Sequence, residues 1–188
     1  MTPGDAAGGH AAAGSAAADP RPGHVLVLAC GERSRGDDAA ALVAAEQLLA
    51  RADEAGARFG VQIRLVGQLE PDDLAGVGPE VRVVVLDAVR GVPPGAIIHR
   101  PLADLASSGP GPRSSHVLPL RDVLALVAVL RGALPEGSFV GLGGESFELG
   151  AALSPAVRQV LPAYVEAIGQ EIDRLGAGSA PGGGWAPA

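Results

Sequence analysis

Four ionisable side chains could perform chemistry together. Asp37 and Asp38 form an adjacent acidic pair a few residues after an apolar run. Asp87 ends a second apolar run, and His116 follows a loop rich in Gly, Pro and Ser. Carboxylates and an imidazole can bind a borderline divalent metal ion while leaving coordination positions open. The same groups serve as general acids and bases, so these residues are candidates for a metal or catalytic site.

Each candidate also has a purely structural interpretation. Asp37 is typical of an N-cap at the start of a helix, and Asp38 is typical of an acid that interacts with the helix dipole. Asp87 lies so close to an apolar run that it needs a partner, for which Arg90 is available. His116 is more typical of a helix-capping or solvent-facing histidine than of a ligand. The pattern alone leaves these interpretations open and favours function only for Asp87.

Other catalytic classes have no support in the motifs. Cys30 lies at the end of an apolar run, which favours a buried, inert thiol over a nucleophile. No serine lies in a nucleophile-elbow pattern, and no G-x-G-x-x-G dinucleotide fingerprint follows the first apolar run. A phospho-acceptor receiver domain uses a lysine, and all fourteen basic residues here are Arg. His24 and His99 lie within predicted strands and are interpreted as structural.

Length, composition and charge limit the remaining functions. The chain has 188 residues and a formal net charge of −7, so a nucleic-acid partner, which binds a clustered basic surface, is not expected. Residues 1–23 and 176–188 are predicted to be disordered, because they have too little apolar periodicity to offset the entropy of ordering. With no signal-peptide pattern and no apolar stretch of about 20 residues, we expect a cytoplasmic protein without a membrane partner.

Apolar patterning predicts alternating strands and helices in one domain over residues 24–175. Continuous apolar runs predict buried strands, and apolar residues at helical spacing predict amphipathic helices. Strands are predicted at 24–30, 61–67, 81–86, 96–100 and 138–142, and helices at 37–51, 71–77, 116–131 and 154–175. This alternation is typical of a three-layer α/β/α sandwich with a mostly parallel sheet of about five strands.

The predicted sheet would bring the four candidate residues to one edge. In open α/β sheets, ligands bind beyond the carboxyl ends of the strands. Asp37 and Asp38 follow the first predicted strand, Asp87 ends the third, and His116 begins a helix after a long loop. The fold prediction and the residue types therefore select the same site.

Four blocks of the sequence carry a more specific signal. In order they read HVLVLACGERSRGDDAAALVAAEQL, VVVLDAVRGVPPGAI, SSHVLPLRDVLAL and SFVGLGGESFELGAALSPAV. Together they resemble the hydrogenase maturation proteases, whose blocks are a strand with a Gly-x-Gly-Asn turn and an acidic pair, a strand ending in Asp-Ala, a Ser-x-His, and a Leu-Ser-Pro at the last helix. The positions that depart from this pattern are Ala29, Glu32, Ser34 and Ala39.

The resemblance implies a function and a role for each candidate residue. This family removes a C-terminal peptide from the large subunit of nickel–iron hydrogenase after nickel insertion, and it has a phosphorylase/hydrolase-like fold. Its metal-binding positions correspond to Asp38, Asp87 and His116, with Asp38 and Asp87 as catalytic residues. Asp37 would then cap the helix or orient its neighbour.

The resemblance also implies a substrate and a cofactor. The partner would be a nickel–iron hydrogenase large-subunit precursor, which supplies the nickel, and the chain is expected to be a monomer. Whether such an endopeptidase is metal-dependent or of the aspartic type stays open. The alternative function is a non-catalytic maturation factor on the same fold, which would bind the precursor or nickel without cleavage.

Overall fold

A five-stranded sheet forms the centre of the computed structural model, which describes residues 24–55, 60–107 and 119–177. The strands are β1 (Val25–Ala29), β2 (Val61–Leu65), β3 (Arg82–Val89), β4 (Ile97–Pro101) and β5 (Gly137–Gly143). Their spatial order is β2-β1-β3-β5-β4; β4 pairs antiparallel with β5, and the other pairs are parallel. The predicted mostly parallel sheet of about five strands is confirmed.

Helices cover both faces of the sheet. They are α1 (Ala40–Ala55), α2 (Pro71–Ala75), α3 (Leu102–Ser107), α4 (Leu120–Arg131) and α5 (Pro155–Ala177), and a 3-10 turn (Gly36–Ala39) precedes α1. Helices α1 and α5 pack on one face, whereas α2, α3 and α4 pack on the other. Alternate residues of β1 enter the two cores, as the two-residue period of a strand requires. The predicted three-layer α/β/α fold is thereby confirmed.

Burial on both faces explains why β1 and the first part of β3 are continuous apolar runs. All five residues of β1 are buried, and β1 and β3 are neighbours inside the sheet.

The start of α5 follows from local chemistry, because Ser154 Oγ accepts the Val157 N–H at 3.3 Å and Pro155 takes the first helical position. Among the described residues, none of the helices is both long and apolar enough to cross a membrane.

The structure corrects the predicted end of the third strand. β3 continues to Val89, so Asp87 lies inside the strand, paired with Gly141, rather than at its end. The extension occurs because β5 continues beside it to Gly143. Sequence patterning also missed α3, a helix of six residues that directly follows β4.

Two helix starts also differ from the prediction. The acidic pair occupies the 3-10 turn, and α1 begins only at Ala40. Helix α4 begins at Leu120, because Pro119 before it has an extended backbone (ψ 140°). His116, which was predicted to begin this helix, lies outside the described residues, as do both predicted tails apart from Gly176 and Ala177, which end α5.

A buried carboxylate joins α5 to the sheet near the amino end of β5. Glu171 is 5% exposed, and its carboxylate accepts bonds from Ser138 Oγ (2.5 Å) and from Arg174 Nη2 (2.6 Å) and Nε (2.8 Å). His99 Nε2 on β4 is 3.2 Å from the same carboxylate. Burial by itself raises the pKa of Glu171, but the bonds from Arg174 and Ser138 and the contact with His99 lower it to about 2. This cluster includes His99, for which the sequence predicted a structural role.

The chain order creates a crevice between the carboxyl ends of β1 and β3. From β1 the chain passes through α1 to β2 on one side, and it returns through α2 to β3 on the other side of β1. The connections therefore diverge between β1 and β3, which is the topological switch point where open α/β sheets bind ligands. This crevice lies at the opposite edge of the sheet from the Glu171 cluster.

Candidate functional site

Asp38 and Asp87 both lie at this switch point. The carbonyl of Leu86, the residue before Asp87, accepts the N–H of Cys30 at 2.8 Å, so Asp87 is level with the first residue after β1. Asp38 lies against Gly31, since a Cβ on that glycine would collide with the Asp38 backbone carbonyl. The two acids are 2% and 3% exposed, respectively. The structure thus brings two of the three predicted metal ligands to one crevice.

Backbone N–H groups orient both carboxylates. Asp38 Oδ2 accepts the N–H of Glu32 at 3.0 Å, across the loop that follows β1. Asp87 Oδ1 accepts the N–H of Ala88 at 2.8 Å. Hydrogen bonds of this kind fix the orientation of a carboxylate without adding a positive side chain beside it.

The loop after β1 depends on glycine at two positions. Gly31 has φ 133° and Gly36 has φ 59°, both in the region that favours glycine. A Cβ at Gly36 would lie 2.6 Å from the carbonyl oxygen of Ser146. The chain can therefore fold back tightly over the end of β1, which places Asp38 at the crevice.

The negative charges of the site act on Cys30. Burial raises the pKa of the Cys30 thiol well above its ordinary value, and the charges of Asp87, Asp73 and Asp38 raise it further. The thiol is 2% exposed. A buried, protonated thiol is not a nucleophile, so Cys30 is structural, as predicted.

Asp37 binds the loop that follows β5. It is fully buried, and its carboxylate accepts three backbone N–H groups, from Glu145 (2.7 Å) and Ser146 (2.9 Å) at Oδ2 and from Ser154 (2.6 Å) at Oδ1. Burial by itself raises the pKa of Asp37, but the bonds from Ser146, Ser154 and Glu145 outweigh burial and lower it. The interpretation of Asp37 as a helix N-cap is therefore wrong, because its donors belong to a distant loop.

Two loops pack against each other beside the crevice. We call residues 31–36 the turn loop and residues 144–154 the rim loop. The Gly150 N–H donates to the Ser34 carbonyl at 2.6 Å, and the Gly36 N–H donates to the Ala151 carbonyl at 3.2 Å. Together with the bonds to Asp37, these contacts hold the rim loop against the turn loop.

Arg90 contacts the rim loop in a way that the sequence did not indicate. Its guanidinium carbon lies 3.8 Å from the centroid of the Phe147 ring. Phe147 is buried, and its ring lies on Gly144, where a Cβ would come within 2.5 Å of Phe147 Cζ. The two residues are 57 positions apart, so no local pattern could predict this cation–π contact.

The donor chemistry of the crevice suits a divalent cation, but the described residues supply only part of a binding site. Carboxylate oxygens bind divalent metals, and two of them leave several coordination positions for other ligands. No group of three or more His, Cys, Asp or Glu within residues 24–55, 60–107 and 119–177 could hold a metal ion. His116, the third predicted ligand, lies outside these ranges. The three-ligand site stays a prediction.

Comparisons with known proteins identify the fold. No protein-family model matches the sequence, and no curated protein matches it at the significance required. Solved structures do match. The [NiFe] hydrogenase maturation protease HybD from Thermococcus kodakarensis is 26% identical, with a TM-score of 0.60 over 78% of this chain and 97% of that protein.

Two further structures give the same result. The [NiFe] hydrogenase maturation protease HycI from Thermococcus kodakarensis KOD1 is 24% identical, with a TM-score of 0.61 over 81% of this chain and 94% of that protein. The hydrogenase maturating endopeptidase HybD from E. coli is 23% identical, with a TM-score of 0.63 over 80% of this chain and 93% of that protein. The predicted resemblance to hydrogenase maturation proteases is confirmed, and at such identities it is mainly a likeness of fold.

Proposed function

We propose that this chain, which has the fold of the hydrogenase maturation proteases, is an endopeptidase that removes the C-terminal extension of a nickel–iron hydrogenase large-subunit precursor. The observation that supports this proposal most directly is the position of Asp38 and Asp87. Both are buried carboxylates at the switch point between β1 and β3, where this class of sheet binds its ligands. The names of the similar structures indicate the reaction.

On this proposal the nickel belongs to the substrate. Asp38 and Asp87, with His116 as the predicted third donor, would meet the nickel already inserted in the precursor. Carboxylates and imidazole match a borderline divalent ion, and their incomplete shell leaves positions for ligands from the precursor. Only a nickel-loaded precursor would then be held with its scissile bond in the crevice, which makes nickel insertion the signal for cleavage.

The carboxylates of the crevice also suit the hydrolytic step. Asp38 or Asp87 would accept a proton from a water molecule whose oxygen attacks the scissile carbonyl carbon. The same carboxyl group would return that proton to the leaving amine nitrogen as the C–N bond breaks. The hydrogen bonds that Asp37 accepts from the rim loop support this step, because they fix the neighbouring Asp38 relative to that loop.

The proposed setting is the cytoplasm, with the precursor as the partner and the chain acting as a monomer. A single cysteine that forms no disulfide, Cys30, is common in a reducing compartment. The Cys30 thiol is also buried, so it offers no exposed group for a covalent contact with a partner.

Weighing the large subunit after incubation tests the proposal. Purified protein is mixed with nickel-loaded precursor and, in parallel, with nickel-free precursor, and the mass of the large subunit is measured. We expect the mass of the C-terminal extension to be lost only from the nickel-loaded form. The variant Asp38→Asn should leave the precursor intact, whereas Asp72→Asn, a change of an exposed acid on α2, should cleave like the wild type. A stable complex without any change of mass would instead identify a non-catalytic maturation factor.

A further inference from the structure

Arg90 lies close to the crevice but has no role in the proposed chemistry. It is three residues beyond Asp87, immediately after the end of β3. A strand rises about 3.3 Å per residue, so the Cα atoms of Arg90 and Asp87 are at most about 10 Å apart. That distance corresponds to two or three residues of an extended peptide lying in the crevice.

The guanidinium of Arg90 is held in place but is not used for hydrogen bonding. Within the described part of the chain, none of its N–H groups donates to a protein acceptor, and its contact is with the face of the Phe147 ring. Two other arginines near these loops, one on the turn loop and one in the first turns of α5, differ. Arg33 forms an ion pair with Glu46, and Arg158 donates to the Leu153 carbonyl at 2.6 Å.

The support beneath Arg90 is firm. Phe147 is buried against Gly144, and the rim loop that carries both residues is bound by the Asp37 carboxylate. A guanidinium stacked on a fixed ring keeps its N–H edge in one orientation, so little side-chain entropy is lost when a ligand binds. Arg90 is therefore preorganised as a donor group beside the crevice.

The rim loop that Arg90 contacts carries exposed acids. The chain carries a net charge of −7, and exposed Glu145 and Glu148 lie on the rim loop while exposed Glu32 lies on the turn loop. The two rim-loop carboxylates repel an anionic group, whereas Arg90 attracts it; on the turn loop, Glu32 is accompanied by the exposed Arg33 and Arg35. An arrangement of this kind selects one register of a bound peptide by combining attraction at one point with repulsion at others.

We propose that Arg90 binds a carboxylate of the precursor's C-terminal extension, two or three residues from the scissile bond. The planar fork of an arginine pairs with a carboxylate through two parallel hydrogen bonds. The carboxylate belongs either to an acidic side chain of the extension or to the chain terminus. This inference rests on the proposed function and adds a determinant of substrate recognition to it.

Steady-state cleavage of the nickel-loaded precursor by Arg90 variants tests the inference. We expect Arg90→Gln to raise KM by about tenfold or more with kcat changed less than about twofold, because a charge-assisted bond to the bound substrate is lost. Arg90→Lys keeps the charge but loses the fork, so its KM should be intermediate. Arg100→Gln, which changes an exposed arginine on β4, is the matched control and should keep the wild-type KM.

Changes in the substrate identify the source of the carboxylate. Acidic residues of the extension are neutralised one at a time, and a separate precursor carries a C-terminal carboxamide. The substrate that lacks the bound carboxylate should show the raised KM with the wild-type protein and no further rise with Arg90→Gln. If Arg90→Gln raises KM equally for every substrate, including the neutralised ones, Arg90 only anchors the rim loop and the inference is overturned.

The experiment separates failure of this inference from failure of the proposed function. If the wild type cleaves the precursor and Arg90→Gln has the same KM, the inference is wrong and the proposed function stands. If the wild type does not cleave, the synthetic extension peptide is titrated calorimetrically into the wild type and Arg90→Gln, with free carboxylates and with each one blocked. Weaker binding by about tenfold for Arg90→Gln supports a carboxylate site, and equal binding overturns it.

Discussion

Asp37 and Glu171 are buried carboxylates at opposite edges of the sheet, and they accept hydrogen bonds from different kinds of donor. At the crevice, Asp37 accepts three backbone N–H groups from the rim loop. At the other edge, Glu171 accepts bonds from side chains, including two from Arg174. Both carboxylates hold a helical segment against distant parts of the chain, but only Glu171 does so with a cation.

This difference has an electrostatic consequence. The charge of Glu171 is balanced by Arg174, so that edge gains rigidity without an excess of negative charge. Among the residues that the structure describes, no Arg or His forms an ion pair with Asp37, and the backbone N–H groups carry only partial charges. Asp37 therefore organises the loops beside the crevice without bringing a cation there, which suits the metal-binding role proposed for this site.

The largest effect on stability is expected from Asp37→Ala. Removing the carboxylate leaves three N–H groups of the rim loop without their acceptor, of which the Ser154 N–H is buried and the other two are partly buried, at a cost on the order of 3–5 kcal/mol in the free energy of unfolding. Urea unfolding followed by circular dichroism measures this loss, with Asp72→Ala, a change of an exposed residue on α2, as the control. A loss below about 1 kcal/mol would show that the rim loop does not depend on Asp37.

A smaller loss is expected from Glu171→Gln. The amide can still accept the Ser138 hydroxyl, and Arg174, whose side chain is largely exposed, can be hydrated when its partner is neutral. We expect the free energy of unfolding at neutral pH to fall by about 1–3 kcal/mol. An equal or larger loss than for Asp37→Ala would contradict the contrast between the two edges.

The pH dependence of the unfolding free energy of Glu171→Gln tests the charge of Glu171 separately. The folded-state pKa of Glu171 is about 2, below the value of about 4.3 for an unfolded chain. A lowered folded-state pKa adds stability that is complete above the unfolded value and is lost as pH falls toward the folded value. The difference in unfolding free energy between wild type and Glu171→Gln should therefore be constant above about pH 5 and decrease between about pH 4.3 and 2. A difference that stays constant down to pH 2 would refute the assignment.

The smallest effect in this series is expected from His99→Gln. The imidazole is 50% exposed and its nitrogen lies 3.2 Å from the Glu171 carboxylate, which already accepts stronger bonds from Ser138 and Arg174. We expect a loss of about 0.5 kcal/mol, in the range of exposed ion pairs. A loss above about 2 kcal/mol in the same urea experiment would make His99 the main partner of Glu171.

The central strands and the location of the crevice could be predicted because their causes are local. A strand buried on both faces is mostly apolar, so β1 and residues 83–86 of β3 are visible as runs. Strand patterns that alternate with helical patterns predict a parallel sheet. Asp38 and Asp87 then lie at the same edge of this sheet, near the carboxyl ends of its strands. The order of the four sequence blocks indicated the fold that the solved structures share.

The features that could not be predicted depend on contacts between distant residues. The donors to Asp37 lie 108 to 117 positions away, so local patterning can only suggest a helix cap for this residue. Glu171 is one acid on a long helix, and only the fold reveals that Ser138 and His99 approach it. The contact between Arg90 and Phe147 is hidden for the same reason.

We propose that Asp87 is kept at the crevice to meet the nickel-loaded substrate rather than to stabilise the fold. The change Asp87→Asn tests it, because an Asn side-chain carbonyl can still accept the Ala88 N–H while the charge and much of the affinity for a divalent cation are removed. We therefore expect a change of less than about 1 kcal/mol in the free energy of unfolding.

The decisive measurement combines this unfolding free energy with the cleavage rate of nickel-loaded precursor per folded molecule of Asp87→Asn. If Asp87 meets the substrate, Asp87→Asn is a stable protein whose cleavage rate falls by at least about 100-fold, in the range for removal of a catalytic acid or base. A variant that loses several kcal/mol of stability, yet cleaves at the wild-type rate in its folded fraction, would show that Asp87 serves the fold and not the substrate.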